Sequence, residues 1–158
     1  MVTMLGKKNL DCLTRPGRNK MPNEIKLTAD FILWERRIYL IKRKYSPFEG
    51  CWALPGGHVD ERETFYDAAM RELKEETNGE PLNCKYIDTL DSPNRDPRGR
   101  YISVVYCGEN SEREPIQAMD DAVEVQAFTY GEIFDMYSRG LVAFDHFEVI
   151  KTFFEQTT

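Results

Sequence analysis

The stretch GHVDERETFYDAAMRELKEETNG, residues 57–79, decides the fold. Its second half predicts a helix from Thr64 to Thr77: Thr64 is a good N-cap, Asp67 completes a capping-box pattern, and Asn78-Gly79 supplies a left-handed stop. Phe65, Ala68, Ala69 and Leu73 form an apolar stripe, so one side of this helix must cover a core. Positions three and four apart share a helix face, which gathers Glu72, Glu75 and Glu76 into one sector beside that stripe. Like charges so placed raise one another's pKa and weaken the helix unless something positive sits among them. A hard divalent cation is the natural partner. Mg2+ favours carboxylate oxygens and keeps several waters, so it can bridge protein carboxylates and a pyrophosphate, neutralise the phosphate oxygens and help activate water for attack on phosphorus. A bare Arg-Glu-x-x-Glu-Glu string is otherwise an ordinary solvated face. The bordering apolar stripe and Pro55-Gly56-Gly57 upstream, where backbone can approach a ligand or ion closely, favour the site.

Before this window, Ile25, Leu27, Ala29, Phe31 and Leu33 alternate and predict a half-buried strand, with Arg36-Arg37 as a turn. Ile38 to Ile41 reads as a second strand forming a hairpin with the first, followed by a loop containing Pro47 and Gly50. After the window, Lys85 to Leu90, Tyr101 to Cys107 and Val123 to Phe128 predict strands, Gly131 to Tyr137 a short helix, and Asp145 to Glu155 a closing helix. Strands interrupted by helices imply an α/β arrangement around a mixed sheet. Residues 1–24 are polar and broken by Pro16-Gly17 and Met21-Pro22, so they read as an extension before one domain spanning 25–158.

Composition bounds the function. A chain of 158 residues with 41% hydrophobic and 30% charged content suits one globular domain. A net charge of -6 argues against coating nucleic acid and supplies no basic recognition helix, so a phosphorylated small molecule needs a metal or local arginines to offset repulsion. Cys12, Cys51, Cys84 and Cys107 form no Cys-x-x-Cys pair, and no long apolar run occurs; free thiols, no membrane span and a cytoplasmic setting are expected.

The spacing Gly57, five residues, Glu63, seven residues, Arg71-Glu72-Leu73-Lys74-Glu75-Glu76 resembles the Nudix box, and the approach Trp52-Ala53-Leu54-Pro55-Gly56-Gly57 resembles that family's usual entry to it. Asn78 stands where the family has Gly, and Gly79 where it has an aliphatic residue. The resemblance implies an α/β/α sandwich around a mixed sheet. It implies that Glu72, Glu75 and Glu76 hold Mg2+, with Mn2+ as a substitute and the Gly56 carbonyl as an extra ligand. Arg71 and Glu63 would orient the helix and its carboxylates, and Glu72 is one candidate base. The implied reaction is hydrolysis of a nucleoside diphosphate linked to another moiety.

Three further segments, Arg95-Asp96-Pro97-Arg98-Gly99, Asp120-Asp121-Ala122 and Phe144-Asp145-His146, resemble segments of bacterial and phage ADP-ribose pyrophosphatases and related Nudix regulators of NAD metabolism. They imply ADP-ribose as substrate, with AMP and ribose 5-phosphate as products and Arg95, Arg98, Gly57 and His146 as substrate contacts. The alternatives are NADH, FAD, dinucleoside polyphosphates, a capped RNA 5′ end, or a non-catalytic module binding ADP-ribose. The family also implies a homodimer as one assembly. Competing structural readings stand beside these: a tight turn at residues 96–99, a helix cap at Asp145, a first-turn filler at His146, and solvated loop acids at Asp120 and Asp121. His58 could face a ligand or merely occupy a loop, and Trp52 could stack a base or fill the core.

Overall fold

The computed structural model describes residues 24–111, 113–119 and 122–157, so most of the N-terminal extension, together with Asp120 and Asp121, lies outside the described residues. Its centre is β1 (Ile25–Trp34), which lies parallel to β6 (Arg100–Asn110) along its whole length, from Ile25 opposite Arg100 to Trp34 opposite Glu109. β5 (Pro81–Leu90) adds to the outer side of β6 in antiparallel fashion. On the other side, β2 (Ile38–Arg43) follows β1 and pairs antiparallel with both β3 (Trp52–Ala53) and β7 (Ala122–Phe128). The short strand β4 (Gly56–His58) pairs with the middle of β1, completing a seven-stranded mixed sheet.

Three helices cover the two faces. Ala29, Phe31 and Leu33 of β1 pack against Ala68, Ala69 and Leu73 of α1 (Phe65–Thr77) on one face. Ile32, with Ile38 and Leu40, packs on the other face with Ile133 of α2 (Tyr130–Ser138) and Phe147, Ile150 and Phe153 of α3 (His146–Thr157). Each fully buried Leu, Ile or Phe in these layers contributes roughly 1.5–3 kcal/mol of transfer free energy. The layering is the expected α/β/α sandwich.

Two strand expectations need correction. Phe31, Ile32 and Leu33 are all fully buried, because helices cover both faces of this central strand, whereas Ile25 and Leu27 at its open end are exposed. The predicted half-buried alternation therefore fails at both ends of β1. The hairpin between β1 and β2 amounts to one register pair, Trp34 opposite Ile38; beyond it β2 turns to β3 and β7, leaving β1 to β4 and β6.

The helix α1 follows its local code. The Thr64 hydroxyl accepts a bond from the Asp67 N–H at 3.1 Å, and the Asp67 carboxylate accepts from the Thr64 N–H at 3.3 Å. Asn78 ends it at φ 59°, in the left-handed region that Asn tolerates. A Cβ at Gly79 would stand 2.9 Å from both Leu33 and Thr77, which accounts for glycine where the box usually carries an aliphatic residue. Thr64→Ala is expected to lower stability by about 1 kcal/mol, read as a shift in urea midpoint at unchanged slope.

Candidate active site

The acidic half of α1 faces β4, where the approach of β1 requires glycine at position 56 and glycine at 57 leaves room for the Glu72 carboxylate. A Cβ on Gly57 would collide with the carboxylate of Glu72, and one on Gly56 would collide with the Ala29 carbonyl and with Asp30. The Gly56 N–H, freed from any side chain, donates to Glu76 Oε2 at 2.9 Å. Pro55-Gly56-Gly57 thus does what a close backbone approach requires.

Arg71 organises the remaining carboxylates. It forks onto Glu63, donating from Nε at 2.6 Å and Nη2 at 2.9 Å, while Nη1 reaches Glu72 at 2.8 Å and Glu75 at 3.2 Å. Nη2 also donates to the His58 carbonyl at 3.0 Å, tying helix to loop. The guanidinium bonds hold Glu63 down to about 2, aided by the Asp60 N–H. Burial pushes Glu72 up, against the bond from Arg71. Burial lifts Glu76 further, to about 8, with the charges of Glu72 and Asp30 adding to it.

These groups open into a cleft of about 340 Å³ lined by Glu72, Glu76, Gly56, Gly57, Arg71 and His58 on one side. Arg95, Arg98, Tyr101, Phe144 and His146 line it from elsewhere in the chain. Glu63 stands behind Arg71, and Glu75, about half exposed, is drawn to Arg71 rather than into the cleft. Among the described residues no cluster of three Asp, Glu, His or Cys side chains is gathered closely enough to hold a metal ion. What the cleft does present is two partly buried carboxylates, Glu72 and Glu76, both pushed toward the protonated form by desolvation and by nearby negative charge. An all-oxygen donor pair of this kind suits a hard cation that completes its shell with water and substrate phosphate.

The arginine segment serves structure and cleft together. Asp96 holds its own turn by accepting from the Arg98 N–H at 2.9 Å, and Arg98 forks back onto it at 3.0 and 2.7 Å. Arg95 is almost fully buried and binds Asp145 across 50 residues, with Nη2 at 2.7 Å from Oδ1. His146 sits on the cleft floor, where Nδ1 accepts from the Leu54 N–H at 3.0 Å and burial keeps the ring neutral. Trp52 is core, edge-on to Phe128.

Sequence reading passed over Asp30, Arg43, Tyr101 and Phe144, all of which line the cleft. Asp30 is buried, accepts a bond from the Ser103 hydroxyl, and faces His146 Nε2 at 3.7 Å. The signal for it was present: a lone charge inside the apolar run from Leu27 to Leu33. Phe144 belongs to the Phe144-Asp145-His146 segment but was given no role of its own, and Arg43 and Tyr101 carry no comparable local mark.

A model of the NUDIX domain matches residues 25–153. The chain is 43% identical over 119 residues to an ADP-ribose pyrophosphatase of Methanocaldococcus jannaschii, an alignment covering 75% of this chain and 66% of that protein. The solved NUDIX domain of Shewanella oneidensis NrtR complexed with ADP ribose superposes with a TM-score of 0.75 at 27% identity, covering 89% of this chain and 95% of that one. A bifunctional NMN adenylyltransferase/ADP ribose pyrophosphatase from Francisella tularensis, complexed with AMP and Mn ion, gives 0.75 at 30% identity, covering 88% of this chain and 44% of that one. The chain therefore spans under two thirds of the archaeal relative and less than half of the bifunctional protein.

Proposed function

Starting from the fact that the chain belongs to the Nudix family, we propose that it hydrolyses the pyrophosphate bond of a nucleoside diphosphate linked to another moiety, with ADP-ribose yielding AMP and ribose 5-phosphate. The observation that carries this reading is a single cleft lined both by Glu72 and Glu76 and by Arg43, Arg95 and Arg98. The archaeal ADP-ribose pyrophosphatase and the ADP-ribose-bound NUDIX domain support the choice of substrate.

Each residue has a distinct task. Arg71 fixes Glu72 through Oε1 and leaves Oε2, which accepts no hydrogen bond among the described residues, free for a cation or, as the candidate base, for the proton of attacking water. Gly56 holds one oxygen of Glu76. Glu72 and Glu76 would hold the divalent cation, Mg2+ or Mn2+, with the Gly56 carbonyl and, once released from Arg71, Glu75 as further ligands. When bound, it offsets the charge of the phosphate oxygens and acidifies water. Arg98 meets phosphate, Gly57 lets it approach, and Arg95 acts through Asp145 to place the segment carrying His146.

Purified protein with Mg2+ is expected to release AMP from ADP-ribose, and chelation by EDTA to abolish release until Mg2+ or Mn2+ is restored. The decisive form is a parallel assay of ADP-ribose, NADH, FAD, dinucleoside polyphosphates and capped RNA by product chromatography. Faster turnover of any other member would replace ADP-ribose as substrate. Binding of ADP-ribose without turnover would make the chain a binding module.

A further inference from the structure

The cleft lining contributed by Phe144 has an unusual backbone. Phe144 has φ 53° and Phe48 φ 60°, and their rings meet edge-on at 4.8 Å. A left-handed conformation at a bulky residue costs on the order of 1–3 kcal/mol and persists only where neighbours over-determine it. They do so here. Val142 bridges to Trp52, the Ala143 N–H donates to the Trp52 carbonyl at 2.8 Å, and Asp145 is forked by Arg95. Pinned on both sides, Phe144 lines the cleft with two guanidiniums on its ring, Arg43 at 5.0 Å and Arg98 at 5.7 Å.

The two arginines share a further property. Arg43 donates from Nε to the Pro47 carbonyl at 2.9 Å and from Nη2 to the Tyr45 carbonyl at 3.4 Å, and Arg98 uses Nε and Nη2 on Asp96. Nη1 of each has no partner among the described residues. No carboxylate lies within ion-pair distance of Arg43 among those residues. Burial and the charge of Arg98 lower its pKa, against the more distant charges of Glu76, Asp96 and Asp30, none of which reaches Arg43 as an ion pair. A guanidinium racked on an aromatic ring loses little freedom when it binds phosphate through its remaining N–H groups.

We propose that Phe144 racks Arg43 beside Arg98 as a two-guanidinium clamp for a phosphate of the substrate. The clamp deepens the pyrophosphatase reading and rests on it for the presence of phosphate in the cleft. Arg43 touches the anion, and Phe144 is a positioning residue. A bare sugar or nucleoside gives this pair nothing to hold, so the clamp selects for a phosphorylated substrate.

The test uses inorganic pyrophosphate as probe, titrated into the whole chain by calorimetry in Mg2+. Arg43→Gln is expected to weaken binding about tenfold or more, and Phe144→Leu, which keeps apolar volume but removes the ring, several-fold. In turnover of ADP-ribose both raise KM while kcat stays within about threefold, a split that a general loss of packing does not produce. Should Arg43→Gln lose its thermal transition, Phe144→Leu carries the test with the same readouts. Pyrophosphate affinity unchanged in folded Arg43→Gln or in Phe144→Leu overturns the clamp, as does a fall in kcat alone. A wild-type protein that binds pyrophosphate through Arg43 yet cleaves no nucleoside diphosphate leaves the clamp standing and removes the hydrolase reading.

Discussion

Glu76→Gln is expected to lose at least about a hundredfold in kcat on ADP-ribose while the cation-free protein becomes no less stable. The amide keeps the geometry, since its oxygen can accept the Gly56 N–H that Glu76 accepts at 2.9 Å. What it lacks is the charge that offsets a cation. Burial holds the Glu76 carboxyl at about 8, above its ordinary 4.5. A raised folded-state value means that stability is fully present below about 4.5 and is lost as pH rises through about 8. The wild type without cation should therefore melt at falling temperature across that window, and Glu76→Gln should flatten the fall. Adding Mg2+ should raise the melting temperature of the wild type at pH 8 and do much less for the variant. Unchanged turnover, or a variant that melts well below the wild type at pH 8, would sink the assignment.

Arg71→Ala is expected to cost about 2–3 kcal/mol of folding stability and at least about tenfold in kcat. The side chain is partly exposed, so this lies below the range for a fully buried ion pair. One guanidinium serves Glu63, Glu72, Glu75 and the His58 carbonyl, and removing it leaves three carboxylates facing one another. Lysine should recover less than half of the loss, because a single ammonium cannot fork onto Glu63 and reach Glu72 as well. Urea unfolding of Arg71→Ala, Arg71→Lys and wild type checks the ranking. A loss under about 0.5 kcal/mol in Arg71→Ala would show that the network contributes no more than a surface pair.

The helix was legible because its information is local. Thr64, Asp67 and Asn78 specify α1 through bonds within one or two turns, and Gly57 and Glu63 precede it at a spacing the fold can use directly. β3 and β4 were not legible: two and three residues are too few for a period, and Pro55-Gly56-Gly57 reads as a loop until β1 is placed beside it. Alternation along β1 leaves Asp30 to a solvent side that exists only if the strand is half-buried, whereas the residue is buried. The later arginines divided differently. The turn at Asp96 is present and Arg98 lines the cleft from it, so the turn is compatible with a contact to substrate. Phe144 shows the limit, since its left-handed backbone follows from what pins its neighbours across the chain.

The parallel pairing of β1 with β6 also governs how the chain is made. Ile25 waits for Arg100, so the centre of the sheet cannot close until the ribosome has delivered some 75 further residues. Until then the apolar run through Phe31, Ile32 and Leu33 has lost water contact on neither side, and the α1 stripe has only a fluctuating strand to meet. Loop closure of that span makes assembly slow relative to helix formation and leaves a chain halted before β6 with an unpaired central strand, the condition in which aggregation competes with folding.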